Sequence, residues 1–102
     1  MAHHAKRHVG PFVAVDYRQN SNGITRLGIT VTKRYGIAPS RNRFKRIVRE
    51  AFRLCRHQLP SGLDLNVKPR HQATTATTQD IIKDLMGLNS YALARSSAQP
   101  ES

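Results

Sequence analysis

The sequence is poor in acid. Its 102 residues carry 6 Asp and Glu against 17 Lys and Arg, a formal charge of +11. Carboxylates scattered from Asp16 to Glu101 suggest neither a pair for general acid–base work nor an acidic metal site. Cys55 is the single cysteine, which excludes an intrachain disulfide and any four-thiolate or CxxC metal site. No apolar run is long enough to span a membrane, and no apolar segment follows the basic N-terminus as in a secretory signal. GxSxG, HExxH and the P-loop are all missing. These absences lead us to expect a cytoplasmic protein with no membrane partner and no catalytic or metal-binding residues of its own. Any chemistry must come from a partner.

The positive charge is lopsided. Residues 1–60 hold 13 basic and 2 acidic side chains, whereas residues 61–102 hold 4 of each. So concentrated a charge repels itself unless a polyanion is near, which points to nucleic acid or an anionic membrane surface. The length fits one domain with a compact core and little room for a deep pocket.

Residues 1–9 lack apolar periodicity and read as a basic flexible arm, in which His3 and His4 have no Cys or carboxylate beside them to close a metal site. Residues 10–88 read as the folded domain and 89–102 as a tail with little apolar pattern. Phe12 to Tyr17 is β-rich, Arg18 to Gly23 is turn-forming, and Leu27, Ile29 and Val31 alternate with polar neighbours, so the two runs suggest an antiparallel hairpin. Gly36 and Pro39 break the pattern, and Ser40 reads as the N-cap of a long helix ending before Pro60. Leu63, Leu65 and Val67 alternate as a further strand closed by Pro69. Thr77 and Asp80 have the spacing of a capping box ahead of Ile81, Ile82, Leu85, Met86 and Leu88, a second amphipathic helix.

On the long helix, at about 100° per residue, Phe44, Ile47, Val48, Ala51, Phe52, Leu54 and Cys55 share an apolar arc of roughly 160°. Cys55 therefore reads as a core residue. The opposite arc gathers Arg41, Asn42, Lys45, Arg46, Arg49, Arg53, Arg56 and His57. Solvated helices usually alternate signs at i,i+4, but here Arg41, Lys45, Arg49 and Arg53 follow one another with like charge, which destabilises the free helix. Arginine forks suit paired contacts to phosphate oxygens. RNA is favoured over DNA because Phe12, Tyr17 and Tyr35 lie beside basic positions and Arg26, Thr30 and Thr32 could line a single-strand groove. An aromatic on a strand is nevertheless more often core than platform. A helix-turn-helix would need a helix where strands stand.

The stretch RLGITVTKRYGIAPSRNRFKRIVREAFR, from Arg26 to Arg53, closely resembles the bacterial ribonuclease P protein component. The resemblance rests on Thr32, Lys33 and Arg34, then Gly36, then Arg41, Asn42, Arg43, Lys45, Arg46, Arg49 and Glu50, with weaker similarity from Gly10 to Leu88. It implies an α/β (α+β) two-layer sandwich like ribosomal protein S5 domain 2, with a mixed sheet and the basic helix in a left-handed βαβ crossover. It also implies a 1:1 partnership with a catalytic RNA, which cleaves the 5′ leader from precursor tRNA with Mg2+, no cofactor being bound by the protein itself. Lys33, Arg34, Arg41, Asn42, Arg43, Lys45, Arg46, Arg49 and Arg53 would bind the catalytic RNA; Phe12, Tyr17 and Arg26 would contact the leader. Members usually open with a helix carrying an RL…F-type motif, and Gly10 comes too early for it here. The alternative expectation is a structural rRNA-binding protein with no part in cleavage.

Overall fold

Alternation from Leu63 to Val67 sets the centre of the sheet. In a computed structural model that describes residues 6–87, these side chains lie on β4 (Leu63–Pro69), where Leu63, Leu65 and Val67 are all buried. On one side β4 pairs antiparallel with β2 (Val13–Gln19), Val67 opposite Val15 and Leu65 opposite Tyr17. On the other it pairs parallel with β3 (Arg26–Ile29), Leu27 opposite Leu65. Strand β1 (Lys6–Val9) adds antiparallel to β2, giving the order β1-β2-β4-β3.

Two expectations change. The β2 and β3 runs do not form a hairpin, because β4 lies between them: its inward residues need cover from strands on both sides. Residues 6–9 are not a flexible arm but an edge strand, held by ladder pairing and by Arg7, whose Nε lies 2.7 Å from an Asp16 carboxylate oxygen. His3, His4, Leu88 and the 89–102 tail lie outside the described residues.

The crossover from β3 to β4 is helix α1 (Ala38–Cys55). It starts two residues before Ser40, with Ile37 at the N-cap and Pro39 in the first turn. Proline is tolerated there because first-turn N–H groups have no intrahelical partner anyway. Phe44, Ile47, Val48, Ala51 and Cys55 are buried on the sheet, as the periodicity predicts, and burial pushes the Cys55 thiol up. Phe52 is only half-buried and Leu54 is 46% exposed, so the covered arc is narrower than the apolar one. Helix α2, described over 78–87, packs Ile81 and Leu85 into the same core. Its capping box forms: the Thr77 N–H donates to Asp80 at 3.0 Å and the Asp80 N–H to the Thr77 hydroxyl at 3.2 Å. Both helices thus cover one face of the sheet, and the other face is open.

Asp84, on α2, is a buried acid. Its carboxylate accepts the N–H groups of Phe12 at 2.9 Å and Val13 at 3.1 Å. A Cβ at Gly10 would lie 2.6 Å from the Asp84 Cγ, so only glycine allows this approach. Burial raises the Asp84 pKa, partly opposed by the two N–H donors. Folding therefore favours the neutral carboxyl. That contribution is complete below the ordinary Asp range and is lost as pH rises through the raised folded value. Asp16 and Asp64 run the other way: hydrogen bonds from Arg7 and from Arg26 lower their pKa values, and their contribution is lost as pH falls through those depressed values.

In urea titrations, Phe44→Ala should cost about 3 to 5 kcal/mol. Asp84→Ala should cost roughly 1 to 3 kcal/mol for each N–H it strands. Asp84→Asn should stay folded and remove the part of the stability loss seen between acid and neutral pH that belongs to this carboxyl; an unchanged pH profile would show that Asp84 does not titrate with folding.

Candidate nucleic-acid interface

Two acids neutralise the open face of the sheet. Asp16 binds Arg7 and, at 3.0 Å, Lys68; Asp64 binds Arg26 at 2.9 Å and lies 3.8 Å from Arg18. Glu50 pairs with Arg53 at 2.6 Å. Among the described residues, Lys33, Arg34, Arg41, Arg43, Lys45, Arg46 and Arg49 form no ion pair. Uncompensated charge therefore collects on the turn before α1 and the first three turns of that helix. No acid stands in the first turn of α1, so its positive dipole end adds to the field.

The expected RNA-binding residues fall into two groups. Lys33, Arg34, Asn42, Arg46 and Arg49 are exposed, and Lys45 is half-buried beside them. Arg41 and Arg43 instead reach other backbone segments: the Arg41 Nε donates to the Gly36 carbonyl at 3.1 Å and Arg43 to the Ala76 carbonyl at 2.8 Å. Arg53 lies near the far end of the helix in its pair with Glu50, and Arg56 stacks 5.9 Å from the Phe52 ring centre.

Beside this patch runs a groove of about 570 Å³. Because β3 and β4 are parallel, their C-terminal ends open at the same edge, the usual place for a ligand crevice in open α/β sheets. The chain leaving β3 supplies one wall, Thr30, Thr32, Arg34 and Tyr35; the end of β4 and the chain leaving it supply the other, Lys68, Pro69, Arg70, His71 and Thr74. Each wall is held by a 3-10 turn, Lys33–Tyr35 and His71–Thr75. Tyr35 packs its ring 5.7 Å from Phe44, which ties the first wall to α1.

Phe12, Tyr17 and Arg26, expected to meet a leader strand, do not line this groove. Tyr17 is buried in the core because its strand turns that side toward the helices, so it is not a surface for contact. Phe12 is half-buried against the core, and Arg26 is engaged with Asp64 on the open face. Of the single-strand groove expected from Arg26, Thr30 and Thr32, the two threonines are in place. Sequence reasoning missed Lys68, Arg70 and His71; the only signal was a basic cluster, KPRH, directly after a strand.

A family model described as Ribonuclease P matches residues 1–92. The chain belongs to the ribonuclease P family. A ribonuclease P protein component from Chlamydia abortus is 69% identical over 39 residues, 38% of this chain and 28% of that protein. One from Desulfosudis oleivorans is 42% identical over 71 residues, 70% of this chain and 59% of that protein. The matched segments therefore span less than two thirds of these curated relatives. The solved RNase P protein from Thermotoga maritima superposes with a TM-score of 0.76 at 31% identity, covering 84% of this chain and 82% of that one. The two-layer α/β fold, with a mixed four-stranded sheet and the basic helix in a parallel βαβ unit, is that of ribonuclease P proteins. No helix among the described residues is long and apolar enough to cross a membrane.

If the unpaired cations meet phosphate, Arg46→Ala with Arg49→Ala should flatten the dependence of RNA affinity on log salt by about 0.7 to 0.9 per lost contact. Melting should be nearly unchanged, since both side chains are exposed. The check is a filter-binding series across salt, with a thermal melt of each protein.

Proposed function

We propose that this chain is the protein subunit of a ribonuclease P, binding a catalytic RNA and the 5′ leader of precursor tRNA to promote 5′ maturation of tRNA. The observation that carries the reading is the placement of unpaired cations: the exposed basic patch on α1 adjoins a groove at the ends of β3 and β4. The patch faces catalytic RNA, each contact neutralising phosphate and releasing counterions. The groove accepts single-stranded leader: Arg34 is unpaired and meets phosphate, Lys68 exchanges its Asp16 pair for one, and the half-buried Tyr35 offers a stacking surface, while Arg70 holds the wall through the Gly10 carbonyl. Phosphodiester hydrolysis belongs to the RNA, with Mg2+ bound there, in a 1:1 cytoplasmic particle. The protein contributes affinity and position: two polyanions meet at lower repulsion, and the leader adds binding that leaderless product lacks.

The test is cleavage of radiolabelled precursor tRNA by a bacterial ribonuclease P RNA at low magnesium, with and without the protein. Leader release that requires the protein is the expected result. RNA binding with no stimulation of cleavage would overturn the reading and leave a structural RNA-binding role.

A further inference from the structure

Arg43 stands in the middle of the basic motif but is not placed like the rest of it. Asn42, Arg46 and Arg49 are exposed, whereas Arg43 is half-buried and directs its Nη2 to the carbonyl of Ala76 at 2.8 Å. Ala76 is fully buried and closes the His71–Thr75 turn through its own N–H, which donates to Ala73. That turn carries the second wall of the groove, and the next residue, Thr77, caps α2. Arg43 also lies beside the first wall: burial raises the Tyr35 pKa, and the charge of Arg43 partly opposes it. One guanidinium therefore links the backbone of one wall to helix α1 at the point where the other wall packs. Arg41 is its counterpart, donating to the carbonyl of Gly36, the residue that ends the Lys33–Tyr35 turn.

We propose that Arg43 is a positioning residue, which sets the spacing of the two groove walls and so the preference for substrate bearing a leader, and that it is not a phosphate contact for catalytic RNA. This rests on the groove being the leader site. A phosphate ligand would be expected to point outward with its charge free, as Arg46 and Arg49 do. Arg43 instead donates to a neutral carbonyl that has no other route to α1 among the hydrogen bonds of this turn. Without that link the second wall retains its own 3-10 turn and the burial of Ala76 but loses its hydrogen bond to α1, and a leader strand would have to restore the spacing on binding.

The experiment compares wild type with Arg43→Ala, Arg43→Gln and Lys68→Ala, each assembled with a bacterial ribonuclease P RNA. Two quantities are measured: the salt slope of protein binding to that RNA, and the ratio of affinities for precursor and for leaderless tRNA. Arg43→Ala should leave the slope unchanged and lower the ratio by about tenfold to a hundredfold, the size expected from one charge-assisted hydrogen bond. Arg43→Gln keeps the packed stem and removes the charge, so it reports the same two quantities if the alanine variant melts too low to assay. A slope reduced by about 0.7 to 0.9 with the ratio intact would make Arg43 a phosphate contact and overturn the proposal. Both quantities unchanged would overturn it as well. Lys68→Ala separates the two readings: it lines the groove from outside the motif, and if it lowers the ratio while the Arg43 variants do not, positioning alone fails. If neither does, the groove is not the leader site and the proposal falls with it.

Discussion

The parallel pairing of β3 with β4 is the constraint on which the basic end of the molecule depends. Parallel strands need a long crossover, and here it is α1, so this basic helix must lie across the sheet face it connects. The same pairing brings both C-terminal ends, and the turns that follow them, to one edge. Groove and helical stripe are neighbours because of strand direction, before any side chain is considered.

Charge is then divided by a small number of acids. Asp16 and Asp64 sit on adjacent central strands and draw in Arg7, Lys68, Arg26 and Arg18, leaving the open sheet face nearly balanced. Such exposed pairs stabilise little, because solvent screens them. Their larger effect is on the shape of the field, since they leave uncompensated positive potential most concentrated on the turn before α1 and the helix itself.

Features that depend on near neighbours in the chain were legible in the sequence. The alternation of Leu63, Leu65 and Val67, the buried set Phe44, Val48 and Ala51, and the Thr77–Asp80 cap all rest on spacings of two to four residues. Features that depend on distant pairing were not. Nothing local places β4 between β2 and β3, and without that order the inward turn of Tyr17 is undetermined. The partner of Arg43 lies 33 residues away: its place off the basic arc of the helix was legible, but the carbonyl it meets was not. Leu54 shows that a helical wheel gives direction but not the width of the layer that covers it. Lys6–Val9 has no apolar period to announce a strand, and only its register with β2, with Arg7 on Asp16, explains it.

The bond from Asp84 to the Phe12 N–H spans 72 residues of chain. Closing that loop is easier once the intervening strands have been drawn together, because they shorten the chain still free. Helix α2 therefore gains the Asp84 contact only where the sheet already holds Phe12 and Val13 in place, and a native opening of the helix must break that contact together with the burial of Ile81 and Leu85. Since Gly10 and Asp84 meet with no space between them, such an opening would free the turn between β1 and β2 along with the helix. The first and last elements of the fold would then exchange their amide hydrogens as one cooperative unit, although they lie at opposite ends of the described chain.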